Sequence, residues 1–154
     1  MFLIELPKHK LIIVCIYRSP DGQLEKFINN LDVVIRKLSQ KNNKSLLLCG
    51  DWNIDFLKED NSKKDLTDLL LRYNLVNTVE PPTRRTTNSK SLLDVIIVEK
   101  KYHKNPASLL ELGLSDHQAQ LLQVHNKTWV SNKRRVLKRC FRKNNISEFK
   151  YLLN

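Results

Sequence analysis

Cysteine is scarce in this chain of 154 residues: Cys15, Cys49 and Cys140 stand far apart. No CxxC spacing occurs, which argues against a zinc site. The odd number fits a reducing compartment better than secretion. Cys15 and Cys49 lie inside apolar runs, as buried free thiols do. Long hydrophobic runs are also lacking. None approaches the roughly 20 residues that span a bilayer, so no membrane partner is expected. Residues 1–6 are too short for the apolar stretch of a signal peptide, and an intracellular protein is expected. Internal repeats and low-complexity tracts are absent. Acidic residues run short in one place, the tail. Residues 126–154 carry nine Lys/Arg and a single Glu, a net of +8, whereas residues 1–125 carry a net of only +3. The whole chain is at +11 with a pI near 9.7. Such a balance points to a polyanionic partner, because Lys and Arg neutralise phosphates and release counterions.

What is present is enough for one domain with a core, at 41% hydrophobic residues. The pattern predicts a hairpin from strands at 2–6 and 11–17, the second rich in β-branched residues. Residues Leu24, Phe27, Ile28, Leu31, Val34, Ile35 and Leu38 fall at helical spacing, so 24–38 reads as an amphipathic helix. A buried strand at 45–49, a helix at 65–73 and a short extended segment at 75–79 follow. Then come a polar loop at 81–90, an apolar strand at 92–98, and strands at 109–112 and 119–125. A last helix is expected at 147–153, with Ser147 as its N-cap. The abrupt start on strand-like sequence leads us to expect that material precedes Met1.

Four clusters carry the chemistry: Tyr17-Arg18-Ser19-Pro20, Gly50-Asp51-Trp52-Asn53, Ser91-Leu92-Leu93-Asp94 and Ser115-Asp116-His117. Each sets polar groups inside or just after an apolar strand. Carboxylates buried there are costly unless paired or bound to a cation. Several acids with a His and an Asn suit phosphodiester hydrolysis. The acids hold a divalent metal, a carboxylate orients or deprotonates water, and an imidazole donates to a phosphate oxygen. Each cluster also has a plain reading. Gly50-Asp51-Trp52-Asn53 makes a good turn after a strand, and Ser115-Asp116-His117 makes a capped loop. Tyr17 alone suits a core or rim position, whereas Asp94 within an apolar strand is harder to explain without a partner.

In order and spacing together, the Y-x-x-P, G-D-W-N, S-x-x-D and S-D-H clusters resemble the second half of the endonuclease/exonuclease/phosphatase pattern, over roughly residues 1–125. The stretch from Ile12 to Pro20, Gly50-Asp51-Trp52-Asn53-Ile54-Asp55 and Pro82-Thr83-Arg84 resemble the endonuclease domains of non-LTR retrotransposons in particular. Residues 126–154, with Arg139-Cys140-Phe141-Arg142 and Asn145-Ile146, are similar to the linker that leads into reverse transcriptase in those elements. The resemblance implies an α/β fold, part of a DNase I-like four-layer α/β sandwich with mostly antiparallel strands and its N-terminal part missing. It implies Mg²⁺ (or Mn²⁺), DNA as substrate, a covalently linked reverse transcriptase and a nuclear location. By the same resemblance, Asp51 would position or deprotonate the water. Asn53 would bind the scissile phosphate and help fix Asp51, and Tyr17 would contact the phosphate. Asp116 would be a metal ligand, and His117 would donate to the phosphate with Asp94 holding its ring. Thr83 and Ser91 would be supporting donors to the substrate.

One departure stands out. The family carries an Asn and a metal-binding Glu upstream of the Tyr motif, and here Glu5 is the sole acid before Tyr17. Hydrolysis by this chain on its own is therefore expected to be impaired, and two further readings stay open. One is an inactive remnant that holds nucleic acid, DNA or RNA, by charge through its basic tail. The other keeps the fold but acts on a lipid headgroup. Arg84 and Arg85 suit either a DNA-backbone contact or a solvated loop. The Lys133-Arg134-Arg135 run suits a nuclear localisation signal or nucleic-acid patch, or a solvated linker. Trp129 suits a base stack or linker packing. His9, His103 and His125 read as surface or strand-end residues.

Overall fold

The computed structural model describes residues 1–40, 44–104 and 106–124. His125, Trp129, the basic run 133–135 and the expected helix at 147–153 lie outside the described residues.

The first elements are the antiparallel strands β1 (Phe2–Leu6) and β2 (Leu11–Cys15), joined by a 3-10 turn at Pro7–His9. Helix α1 (Leu24–Ser39) then crosses over to β3 (Ser45–Asp51), which lies parallel to β2. Parallel neighbours need such a long connection. Helix α2 (Asn61–Arg72) begins four residues before the expected start at 65, because the Asp60 side chain accepts from the Lys63 amide at 2.9 Å and caps it. Strand β4 (Leu75–Asn77) follows. The polar stretch expected as a loop at 81–90 instead closes a small hairpin, β5 (Arg84–Arg85) with β6 (Lys90–Ser91). Its turn is held by Thr86, whose hydroxyl accepts from the Ser89 amide at 3.0 Å and whose own amide donates to the Ser89 carbonyl at 2.9 Å. Strand β7 (Asp94–Glu99), a 3-10 turn at Lys100–Tyr102 and a second hairpin, β8 (Ser108–Leu110) with β9 (Ala119–Leu121), complete the described elements.

The main sheet has the order β1-β2-β3-β7-β4, antiparallel except for the β2–β3 pair. Strand register sorts its residues into two faces. Ile12, Val14, Leu46, Leu48, Val95 and Ile97 share one face and are all buried. Leu31, Ile35 and Leu38 of α1 and Leu66, Leu69 and Leu70 of α2 join the same core, so the apolar stripes read from the sequence are the packed ones. The opposite face holds Ile4, Ile13, Cys15, Leu47, Cys49 and Ile96, and at the strand ends Asp51 and Asp94. Its β1 end is open: Phe2 is 63% and Ile4 38% exposed.

Candidate active site

The site forms where the C-terminal end of β3 meets the N-terminal end of β7. Asp51 ends β3, Asp94 begins β7, and the two are register partners. A position before Asp51, the backbone of Gly50 adopts φ +126°, and a Cβ there would sit 2.1 Å from the Ile16 carbonyl oxygen. Only glycine allows this approach. It lets the chain after β2 stay hydrogen-bonded to β3: the Ile16 amide donates to the Cys49 carbonyl (2.8 Å) and the Arg18 amide to the Asp51 carbonyl (3.0 Å). Tyr17 lies between these bonds, with 67% of its surface exposed.

Beyond Asp51 the chain turns sharply. The Asn53 amide donates to Asp51 Oδ1 at 3.0 Å, and Asn53 adopts φ +48°, a conformation that Asn tolerates better than most residues. The Asn53 side-chain amide donates to the Arg18 carbonyl at 2.7 Å. Trp52 is fully buried and meets Phe27 of α1 edge to face, with ring centroids 5.8 Å apart. It anchors the turn in the core and does not face the site. Asp55 Oδ1 accepts from the amides of Leu57 (3.1 Å) and Leu92 (3.0 Å), tying this turn to the segment before Asp94.

His117 arrives from the loop before β9. Its Nδ1 is 2.8 Å from Asp94 Oδ2, an ion pair when the ring is protonated. Ligand atoms of Asp51, Asp94 and His117 all lie within 4.8 Å of one another, a group that could hold a metal ion. Two carboxylates facing each other across one strand pair repel unless a cation lies between them. Their carboxylate oxygens are donors that a divalent cation takes.

The remaining sequence candidates fall around this group. Thr83 is completely buried, and its hydroxyl oxygen accepts from the amides of Leu93 and Asp94, each at 3.1 Å. Its carbonyl accepts from the Gln118 amide at 2.7 Å, so one residue fixes the backbone beside both Asp94 and His117. A β-bridge joins Arg84 to His117, and the Arg85 amide donates to the Asp116 carbonyl at 2.9 Å. Asp116 stands outside the Asp51–Asp94–His117 group. Its carboxylate accepts from Arg84 Nε at 2.7 Å. That guanidinium holds the Asp116 carboxyl below the usual carboxylate range, and the carboxylate in turn raises Arg84, with smaller contributions from Asp51 and Asp94. Arg85 is exposed, and Ser91 lines a cleft of about 510 Å³ shared with Arg18, Asn53, Lys58 and Lys90. The cleft meets the site through Asn53 and does not include Asp51, Asp94 or His117.

Arg18 received no role from sequence, although it stands in the Tyr17 cluster. Its guanidinium donates to the Asn53 carbonyl at 3.1 Å and lies over the Phe27 ring, 6.0 Å from its centroid. A cation sandwiched between a strand end and an aromatic is visible only once α1 is folded against β3.

The family model described as Endonuclease-reverse transcriptase matches residues 11–121. Among solved structures, the chain is similar to the endonuclease domain of TRAS1, a telomere-specific non-LTR retrotransposon. Identity is 22% and the TM-score 0.56, covering 70% of this chain and 53% of that one. It is similar to an endonuclease/exonuclease/phosphatase family protein from Leptotrichia buccalis, at 16% identity and TM-score 0.54, covering 75% of this chain and 49% of that one. A 3′ phosphatase from Neisseria, solved with product DNA hairpin, is similar at 15% identity and TM-score 0.50, covering 71% and 59%. At these identities the likeness is one of fold. The chain spans about half the length of the solved structures it matches. No curated protein matches it.

Proposed function

We propose a function from the premise that this chain, with its mixed α/β, DNase I-like fold, belongs to the Endonuclease-reverse transcriptase family: its site serves the metal-dependent hydrolysis of a DNA phosphodiester, as in a retrotransposon-type nicking endonuclease. The observation that carries this reading is the convergence of Asp51, Asp94 and His117 from three separate segments within 4.8 Å. A divalent ion bound there supplies neutralisation of the phosphate and of the charge that develops on its oxygens.

The chain's own groups have the following parts. Asp51, fixed by the Asn53 amide, orients the attacking water and takes its proton. One N–H of the Asn53 side chain is engaged by the Arg18 carbonyl, and the other is left for a phosphate oxygen. The exposed Tyr17 hydroxyl contacts the same phosphate. His117 is held against Asp94 through Nδ1 and offers Nε2–H to the phosphate, so the Asp51 and Asp94 carboxylates, and not the ring, would hold the ion. Asp116 holds Arg84 Nε through Oδ2, and a carboxylate has further acceptor sites for an ion, with Arg84 countering part of its charge. Arg85 and the basic residues 126–154 supply phosphate contacts, with RNA as a second ligand for the tail. The family's description implies a reverse transcriptase in the same polypeptide, and action on chromosomal DNA implies the nucleus.

The test is nicking of supercoiled plasmid by the purified chain. Conversion to open circles with Mg²⁺, its arrest by EDTA, and a loss of about 100-fold or more in Asp51→Ala and His117→Ala are expected. A second reading, favoured by the net charge of +11, is a chain that holds DNA by charge and cuts nothing. Folded protein that binds DNA, releases it in high salt and never nicks would establish that second reading.

A further inference from the structure

Cys15 and Cys49 are register partners on the parallel pair β2–β3. Both are half-buried free thiols, and their sulfurs are 3.4 Å apart. Neighbouring strands lie about 4.8 Å apart, inside the roughly 4.4–6.8 Å between Cα atoms that a disulfide spans. Closing the sulfurs to bonding distance takes a movement of roughly 1.3 Å. The backbone around them is pinned: Ile16 donates to the Cys49 carbonyl, and Gly50 is pressed against the Ile16 carbonyl. These contacts hold the two strands in the register that pairs the thiols. Hydrolysis of a phosphodiester has no use for either thiol, yet each stands two residues before a candidate site residue, Tyr17 or Asp51.

We propose that Cys15 and Cys49 are an oxidation site, forming a reversible disulfide within the chain when it meets hydrogen peroxide and so cross-linking the strands that carry Tyr17 and Asp51. The Cys15 sulfur attacks a peroxide oxygen and releases its S–H proton. The O–O bond breaks, and the leaving hydroxide takes up a proton to become water. The resulting sulfenic acid is attacked by the second sulfur, the S–S bond forms, the S–O bond breaks, and a second water leaves. In sum, two thiols lose two electrons and two protons, and the peroxide is reduced to two waters. A dithiol reverses the link by exchange through a mixed disulfide. Oxidation of this kind in an otherwise reducing compartment is transient, which suits a link that reductant reopens. The inference stands on the thiol geometry and does not depend on whether the site cuts DNA.

The experiment treats the full, folded chain with hydrogen peroxide, alkylates the remaining thiols, and maps the digested peptides by mass spectrometry. The expected result is one cross-linked pair, Cys15 with Cys49, within a single chain, with Cys140 outside the link and both thiols restored by dithiothreitol. Cys140→Ser should leave formation of the link unchanged, and Cys15→Ser or Cys49→Ser should eliminate it. The proposal is overturned if Cys15 and Cys49 are both still alkylated in folded protein under conditions that oxidise glutathione. A link that runs to Cys140 or between chains also overturns it. The mapping is made on the unsubstituted chain, so misfolding of a serine variant cannot imitate either result.

Discussion

At Gly50, backbone geometry and site position are one requirement. A methyl group there meets the Ile16 carbonyl in a backbone conformation that L-residues rarely adopt. Gly50→Ala should cost about 3 kcal/mol in urea unfolding and displace Asp51 from Asp94. Thr83 acts on the same pair from the other side. Its hydroxyl receives two amides in a site without water access. Thr83→Val keeps the volume and strands both amides, for a loss of roughly 1–3 kcal/mol, whereas Thr83→Ser should recover most of it. If valine proves as stable as threonine by denaturant titration, the two amides do not depend on this hydroxyl. Cys49 illustrates how position changes a common group. Burial, then the neighbouring Cys15, pushes its thiol up to about 12, so it stays protonated at neutral pH.

Among the elements, the helices are joined through a polar contact as well as through the core. The Tyr73 hydroxyl, at the end of α2, donates to Asp32 Oδ1 of α1 at 2.8 Å. That bond, and the adjacent negative charge, raise Tyr73 above its ordinary value near 10. A group whose folded value is raised adds stability below its unfolded value and loses it as pH rises through the folded one. Tyr73→Phe should therefore be less stable than the parent chain at pH 7, with the difference shrinking at strongly alkaline pH. A constant gap across that range would assign the loss to packing. The β5–β6 hairpin shows why a polar stretch can be a structural element: its turn is closed by Thr86 and Ser89, and its first strand holds the His117 loop through the Arg84 bridge.

Across the whole molecule, the sheet is covered unequally. One face packs against α1 and α2, while β1 leaves Phe2, Leu3 and Ile4 exposed at the sheet edge. An unpaired apolar edge of this kind promotes association. The purified chain should bind a hydrophobic dye and self-associate with rising concentration, and Phe2→Lys with Ile4→Lys should reduce both, as read by fluorescence and sedimentation. An unchanged sedimentation profile in the double variant would mean that this edge does not drive association.

Sequence by itself determined the order of elements and the two helical stripes, because apolar periodicity records which side of an element leaves water. It also singled out Asp51, Asn53, Asp94 and His117, since polar groups embedded at the ends of apolar strands stand out in one dimension. Tertiary structure decided the rest, because the deciding contacts join residues distant in the chain. It set Asp51 opposite Asp94 through strand register and turned His117 onto Asp94. It set the buried Thr83 hydroxyl against the Leu93 and Asp94 amides, and the Asp116 carboxylate against Arg84. Arg18 gained its place over Phe27, and Cys15 came to face Cys49 across 34 residues of chain. No local pattern encodes such pairings. They follow from which strands lie side by side, and only the folded sheet settles that.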